Sequence, residues 1–252
     1  MSFRYLFSHK NEKRHSVIIK GDNLFTPSDK KPSTGYSAYT RFFAAIKNKT
    51  IQYVVKQPLN KILKHDELIQ YYFNCIKNFE REKIIWDLVY PDQKAKLIVD
   101  HNELGAIRLV LPYFPGKRLN TYLSAELSSL TYCKILLALI NAVRHFYELG
   151  LSHNDFNGNN VLIEEKENGT IKAYLIDFDR VSYIKNFASN SEWLVISRML
   201  SDRRYIPHIP DIQYNPGFGY NVGYKDTPII LDFLRNHIVH LESEKFYKNT
   251  PN

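Results

Sequence analysis

The sequence predicts an α+β fold in two lobes, a small β-rich first lobe with one major helix and an abbreviated, mainly helical second lobe. Strand-like runs surround one long amphipathic stretch early in the chain, whereas helical spacing dominates later. A segment with two prolines and a glycine, PYFPGKRL, separates the two parts. We place the first lobe at residues 1–111, a hinge at 112–118 and the second lobe at 119–252.

The first lobe is predicted to be a sheet with one helix. Residues 39–46 (YTRFFAAI) and 51–59 (IQYVVKQPL) are typical of strands and are joined by the polar turn KNKT. Residues 65–90 carry apolar side chains at helical spacing and predict the major helix. The runs KAKLIVD and IRLVLPYF predict two further strands around HNELG.

The second lobe is predicted to contain four helical segments and one β-hairpin. The runs TYLSAEL (121–127) and 129–150 indicate helices, and Gly150 is suited to cap the second of them. NVLIEE and KAYLIDF flank the turn KENGT and predict the hairpin. Two more helices are predicted at 191–205 and 228–247, with a Pro/Gly-rich loop between them.

Composition and charge narrow the class of protein. Apolar residues make up 44% of the 252 residues and charged residues 24%, which is typical of a globular chain with a real core. The net charge of +8 favours anionic partners such as nucleotide, nucleic acid or an acidic membrane surface, although a merely Lys-rich surface is the plain alternative.

The positions of the cysteines and the hydropathy of the chain indicate the cellular compartment. Cys75 and Cys133 lie in apolar, helix-like stretches, which predicts two buried thiols rather than a disulfide or a metal site. No apolar run is long enough to cross a bilayer, and the polar start lacks a secretory signal. We therefore expect a cytoplasmic protein, with export into a host cell or peripheral attachment to the inner membrane left open.

The run LSHNDFNGNNVLI (151–163) concentrates polar side chains directly before a predicted strand. Asp155 and Asn160 lie five residues apart in it, and Asp177 follows the second strand of the hairpin. Phosphoryl transfer needs a carboxylate to orient the acceptor hydroxyl, and carboxylate and amide oxygens to hold Mg²⁺. Capping of turns is the alternative explanation for each residue alone.

These residues resemble the motifs of the protein-kinase-like superfamily. HNDFNGNN (153–160) is similar to its H-x-D-x-x-x-x-N catalytic loop, and Asp177 begins a counterpart of its D-F-G motif. The resemblance implies ATP and Mg²⁺ as cofactors, with Asp155 positioning or deprotonating the acceptor hydroxyl. It also implies Asn160 and Asp177 as metal ligands and His153 as a residue that orients the loop.

The resemblance extends to the first lobe. Lys56 in YVVKQPL is implied to be the lysine that binds the nucleotide phosphates, and a helical glutamate should pair with it. Glu80 and Glu82 are both available, and the spacing in FEREKII favours Glu82.

Adenine and the phosphates have further implied contacts in this lobe. Backbone groups around Leu111 to Phe114, including Tyr113, are implied to contact adenine. Gly35 is the glycine of the implied phosphate-covering loop, where the full G-x-G-x-x-G pattern is absent.

The chain departs from protein kinases in ways that bear on its substrate. Asn157 stands where protein kinases usually have a lysine, and Asp179 replaces the final glycine of D-F-G, a change also seen in bacterial sugar kinases of this fold. The second lobe lacks an A-P-E motif. Residues 145–205 most resemble lipopolysaccharide-core (Kdo) kinases, although compact kinase-like effectors of intracellular bacteria also fit.

The leading expectation is a Mg-ATP-dependent phosphotransferase that acts on a hydroxyl, with protein Ser/Thr as the acceptor. The alternatives are a bacterial sugar or lipopolysaccharide-core (Kdo) kinase and a pseudokinase that binds nucleotide as a scaffold. The expected partners are therefore a nucleotide, a protein or glycan hydroxyl, and an anionic membrane surface. Nucleic acid is not expected, since charge and aromatic residues suggest it but no recognition module does.

Overall fold

The computed structural model describes residues 3–6, 17–20, 23–27, 33–34, 38–45, 50–59, 65–99, 107–184 and 191–249. Gly35, residues 47–49 of the predicted turn KNKT (47–50) and the predicted turn HNELG (101–105) lie outside the described residues. The chain divides into two units, Met1–Tyr113 and Phe114–Asn252. The division falls inside the segment 112–118 that the sequence predicts as a hinge.

The first unit is an antiparallel sheet with one long helix. Its helix α1 (His65–Val89) lies between the sixth and seventh strands in sequence. The strands are β1 (Phe3–Leu6), β2 (Val17–Lys20), β3 (Asn23–Pro27), β4 (Ser33–Thr34), β5 (Ala38–Ala45), β6 (Ile51–Pro58), β7 (Lys96–Val99) and β8 (Ile107–Pro112). Their order in the sheet is β1-β2-β3-β5-β6-β8-β7, with β4 paired to β5.

Strand β6 shows why the sheet has two different faces. Tyr53 and Val55 are buried on one face in a cluster with Phe43 and Val110. Successive side chains of a strand point to opposite faces, so Lys56 faces the other way. The four strands and the helix predicted for this unit, at 39–46, 51–59, 94–100, 107–114 and 65–90, are all present within a few residues of the expected ends.

The second unit is mainly helical and has short strands. Its helices are α2 (Leu119–Leu123), α3 (Ser129–Glu148), α4 (Ser191–Leu200) and α5 (Thr227–Asn249), with 3₁₀ turns at Phe178–Arg180 and Tyr224–Asp226. Its strands are β9 (Lys117–Arg118), β10 (Leu151–Ser152), β11 (Val161–Glu165), β12 (Ile171–Leu175), β13 (Ser182–Tyr183), β14 (Tyr214–Asn215) and β15 (Gly219–Tyr220).

Helix α3 forms the centre of this unit. The Ser128 hydroxyl accepts a hydrogen bond from the Thr131 N–H and so caps its start. Nine of its side chains are buried, and it packs against α4, α5 and β12. The helix gives way at Gly150, whose φ of 71° lies in the left-handed region favoured by glycine. The chain then enters the polar loop at once.

Two predicted helices are shorter than expected. The helix predicted at 121–127 is instead Leu119–Leu123, because the backbone turns at Ser124 and Ser128 caps the next helix. The helix predicted at 191–205 ends at Leu200, where Asp202 accepts hydrogen bonds from the backbone and side chain of Arg204. The loop that follows contains the small hairpin of β14 and β15.

The hairpin of β11 and β12 supports the polar loop. The two strands pair over their whole length, from Val161 opposite Leu175 to Glu165 opposite Ile171. Strand β9 adds to the free side of β11. The polar loop leads directly into β11 at Val161, which lies opposite the last residue of β12, Leu175. This register fixes the polar loop relative to the residues that follow β12.

Candidate active site

His153 is a buried residue that ties the polar loop to the end of β12. Its Nε2 lies 2.9 Å from the carbonyl oxygen of Ile176. A carbonyl only accepts hydrogen bonds, so Nε2 is the nitrogen that carries the proton. The ring also packs among the aromatic rings of Phe146, Phe156 and Phe178. His153 thus binds the loop to the residue that directly precedes Asp177.

The side chain of Asp155 is held by two asparagines of the same loop. Asn160 Nδ2 donates to the Asp155 carbonyl at 2.9 Å and to its carboxylate Oδ2 at 3.1 Å. Asn157 Nδ2 donates to the same carbonyl at 3.0 Å. Asp155 itself is half-buried, so its carboxylate is oriented but still reachable from solvent.

Asn160 and Asp177 lie at the same end of the hairpin. The Ile176 N–H donates to the Asn160 carbonyl at 2.9 Å, and Asp177 is the next residue. Asp177 has a φ of 67°, a left-handed conformation that is uncommon for residues other than glycine. The structure therefore brings Asp155, Asn160 and Asp177 together, as the sequence predicts for these three.

Glu192 on α4 holds the polar loop in place, a role that no sequence pattern predicts. This residue of α4 is 0% exposed. Its Oε1 accepts from the His153 N–H at 2.5 Å and from the Ser152 hydroxyl at 3.3 Å. A buried carboxylate is costly unless hydrogen bonds compensate it, and these bonds do so. An acidic residue in a first helical turn is common, so no sequence signal singled out Glu192.

Asn154 connects the loop to β13. Its φ is 58°, and its Nδ2 donates to the Arg180 carbonyl at 3.0 Å and to the Ser182 hydroxyl at 2.7 Å. Asn adopts the left-handed region more readily than most residues, which explains the residue type at this position. Asn154 is therefore a second residue that positions the loop and that no sequence pattern predicts.

Lys56 and Glu82 form an ion pair in the first unit. Lys56 Nζ, on β6, lies 2.6 Å from Glu82 Oε1 on α1. The two side chains are 13% and 2% exposed, so the pair is largely withdrawn from water. Glu80 is exposed and lies elsewhere on the helix. Of the two glutamates considered from the sequence, Glu82 is the one that pairs with the lysine.

Residues 119–200 match the family model described as Lipopolysaccharide kinase (Kdo/WaaP) family. The matched segment covers about a third of the chain and contains Asp155, Asn160 and Asp177. The matched family belongs to the protein-kinase-like superfamily. The predicted α+β, kinase-like fold class and the prediction of a kinase are thereby confirmed, since members of this family are phosphotransferases. No curated protein matches the chain.

The kinase-like loop and hairpin carry ligands that suit magnesium. Asn160 uses its Nδ2 in the bonds to Asp155, which leaves its amide oxygen for a cation. An amide oxygen and the Asp177 carboxylate are ligands that Mg²⁺ accepts, and nucleotide phosphates commonly supply others. Within the described ranges, no group of three His, Cys, Asp or Glu is placed to hold a metal ion.

The residues predicted to contact adenine are ordered parts of the first unit. Leu111 is buried and pairs in register with Val54. The Tyr113 N–H donates to the Gln52 carbonyl at 2.9 Å, so this N–H is already engaged. The roles of both residues in a kinase site stay predictions.

No helix among the residues that the structure describes has both the length and the apolar character needed to span a membrane.

Proposed function

We propose that this kinase transfers the γ-phosphate of ATP to a sugar hydroxyl, of the kind found in the Kdo region of a lipopolysaccharide core. The observation that carries the proposal is the Asp155 carboxylate, oriented by Asn160 inside the segment similar to the Kdo/WaaP family. The sugar acceptor was the alternative to protein Ser/Thr in the sequence analysis. The family match favours the sugar.

Asp155 is proposed as the residue that receives the acceptor. Its carboxylate binds the sugar hydroxyl and aligns the oxygen with the γ-phosphorus. It takes the hydroxyl proton as the new P–O bond forms and the bond from the γ-phosphorus to the leaving ADP breaks. The bonds from Asn160 and Asn157 keep this carboxylate in one orientation. Because that orientation exists before the acceptor binds, less ordering is needed on the way to the transition state.

Asn160 and Asp177 are proposed to hold Mg²⁺ through oxygen atoms at the end of the hairpin. The ion, when bound, supplies positive charge to the phosphates. The chain's own contribution is the hairpin register and the bond from Ile176 N–H to the Asn160 carbonyl, which set the spacing of the two ligands.

Lys56 is proposed to bind the nucleotide phosphates, with Glu82 holding its ammonium group in place. Lys56 contributes more to phosphate binding than Glu82 does, because only a cation offsets the phosphate charge directly. Leu111 and Tyr113 are proposed to line the adenine position, and Gly35 to approach the phosphates through its backbone. These roles rest on the resemblance to kinases and on the observed Lys56–Glu82 pair.

The charge of the chain suits such an acceptor. Lys and Arg number 34 against 26 Asp and Glu, which gives a basic protein. A basic surface raises the local concentration of anionic substrates, and phosphorylated glycolipids at a membrane surface are anionic. We therefore place the enzyme at the cytoplasmic face of the inner membrane as a peripheral protein.

The acceptor can be identified by mass spectrometry of the product. The purified protein is incubated with Mg-ATP and either a Kdo-bearing lipid A precursor or a mixture of unfolded proteins. We expect one added phosphate on the Kdo sugar with the wild type and with Asn159→Ala, an exposed residue of the same loop. Asp155→Asn should give at least about a hundredfold less.

The same experiment separates the other functions. Phosphate found only on Ser or Thr would replace the sugar with a protein acceptor. ATP binding without transfer to any acceptor would contradict the enzyme and favour a nucleotide-binding scaffold.

A further inference from the structure

Helix α1 carries a stripe of apolar side chains on the side that faces water. Its four members are strongly exposed: Ile69 48%, Phe73 52%, Ile84 60% and Leu88 41%. At 3.6 residues per turn, all four fall within an arc of about 100°. Single exposed apolar residues are common, but a stripe of large ones along a helix marks an interaction surface.

The unit's own core does not use this stripe. The opposite side of α1 supplies the residues that pack into the unit, among them Cys75, Phe79, Glu82 and Trp86. From Ile69 to Leu88 the stripe runs for about 28 Å at 1.5 Å per residue. The helix therefore has two apolar faces, of which the outer one is left in solvent.

Two opposite charges lie at the middle of the stripe. The Nζ of Lys77 sits 4.6 Å from the centre of the Phe73 ring. Glu80 is exposed, and it forms no hydrogen bond or ion pair with any residue that the structure describes. Both residues fall inside the same arc as the four apolar side chains.

The six residues are arranged symmetrically about a point midway between Lys77 and Glu80. Ile69 and Leu88 are equally far from that point, and so are Phe73 and Ile84. Two antiparallel copies of α1 related by a two-fold axis at this level place apolar residues opposite apolar ones. They also place each Lys77 beside the Glu80 of the other copy. A two-fold interface must be self-complementary in this way.

We propose that the outer face of α1 is the interface of a homodimer in which two copies of this helix pack antiparallel. The charge pattern selects the second copy of this chain as the partner and the antiparallel direction as the geometry. Parallel packing sets Lys77 against Lys77 and Glu80 against Glu80, which is repulsive. A single helix pair of this length buries less than a standard interface, so the dimer is weak and depends on concentration.

Charge reversal tests the proposal in solution. Sedimentation velocity over a range of protein concentrations should show wild type passing from monomer to dimer. Lys77→Glu alone and Glu80→Lys alone should each raise the dissociation constant by about tenfold, because like charges then meet twice. An equal mixture of the two variants should dimerise again, since each variant supplies the charge that the other lacks.

Cross-linking tests the direction of the helices. Phe73 and Ile84 lie about 16 Å apart on one helix, too far for a disulfide within one copy. The double variant Phe73→Cys/Ile84→Cys should form a disulfide-linked dimer under mild oxidation, and either single variant should not. The native cysteines Cys75 and Cys133 are buried and serve as the wild-type background.

Three results would overturn the proposal. Wild type that stays monomeric at every concentration excludes the dimer. A dimer that is insensitive to both charge reversals places the interface elsewhere. Single variants that cross-link as well as the double variant exclude the antiparallel arrangement. Circular dichroism and thermal unfolding of each variant check that the exposed substitutions leave the fold intact.

Discussion

The backbone N–H of His153 donates to the carboxylate of Glu192 at 2.5 Å, although 39 residues separate the two in sequence. This bond joins the start of the polar loop to a buried position on α4. Because His153 also binds the Ile176 carbonyl, one residue connects α4, the loop and the end of the hairpin. The position of Asp155 therefore depends on a residue that has no chemical part in phosphoryl transfer.

Replacing Glu192 with alanine should destabilise the protein and slow catalysis. The His153 N–H and the Ser152 hydroxyl lose their acceptor in a buried place, which costs about 1–3 kcal/mol. Urea titration measures the loss in the free energy of unfolding. Steady-state kinetics should show a lower kcat with an unchanged affinity for ATP. Glu192→Gln keeps an acceptor and should recover part of both. Glu126→Ala, an exposed control, should alter neither, and equal effects of Glu126→Ala and Glu192→Ala would contradict the anchoring role.

Breaking the Lys56–Glu82 pair should weaken nucleotide binding. Glu82→Gln removes the charge that positions the Lys56 ammonium group, so the Kd for ATP should rise by about tenfold, as loss of a charge-assisted contact implies. Titration calorimetry with Mg-ATP measures this. Glu80→Gln changes an exposed charge on the same helix and is the matched control. An ATP affinity that is unaffected by Glu82→Gln would show that the pair is only structural.

Gly116 should not tolerate a side chain. Its φ is 134°, and an added Cβ would lie 2.5 Å from the Ile163 carbonyl oxygen on β11. Backbone strain and overpacking together should cost Gly116→Ala about 2–5 kcal/mol in the free energy of unfolding. Gly169→Ala is the control, because its φ of 75° brings strain but its Cβ has no neighbour within 4 Å. Equal losses of unfolding free energy in the two variants would show that the close approach of residue 116 to the Ile163 carbonyl is unimportant.

The thiol of Cys133 should be inert in the folded protein. Burial raises its pKa to about 11, so the reactive thiolate is scarce at pH 8. Iodoacetamide at pH 8 should leave Cys133 unmodified until denaturant is added, as peptide mass spectrometry can show. The pKa of this thiol is higher in the folded protein than its value of about 9 in the unfolded chain. The contribution of this difference to the free energy of unfolding is fully present below pH 9 and is lost as the pH rises towards 11. Rapid modification of Cys133 in native protein would contradict its burial.

Local sequence patterns predicted much of this fold, because the spacing of apolar residues indicates which face of a helix or strand is buried. The strands β5 to β8, helix α1 and the hairpin of β11 and β12 all follow from apolar spacing and turn residues. The two-residue strands β9, β10 and β13 were not predicted, since each forms only through a partner distant in sequence. Glu192 was missed for the same reason.

The candidate active site was predictable because most of its polar residues lie in one short loop. Asp155, Asn160 and Asp177 are near one another in sequence or across one hairpin, and the structure brings them together. The acceptor was predicted less well. Protein Ser/Thr was expected from the sequence around the hinge, whereas the match over residues 119–200 favours a sugar. Acceptor choice depends on surface shape, which spacing of residues does not encode.

The most direct test compares wild type and Asp155→Asn in steady-state phosphotransfer from Mg-ATP to a Kdo-bearing glycolipid, with ATP binding measured on the same samples. We expect a kcat lower by a factor of about 10²–10⁴ in the variant, with an unchanged Kd for ATP. Equal rates of phosphorylated product from the two proteins would contradict it.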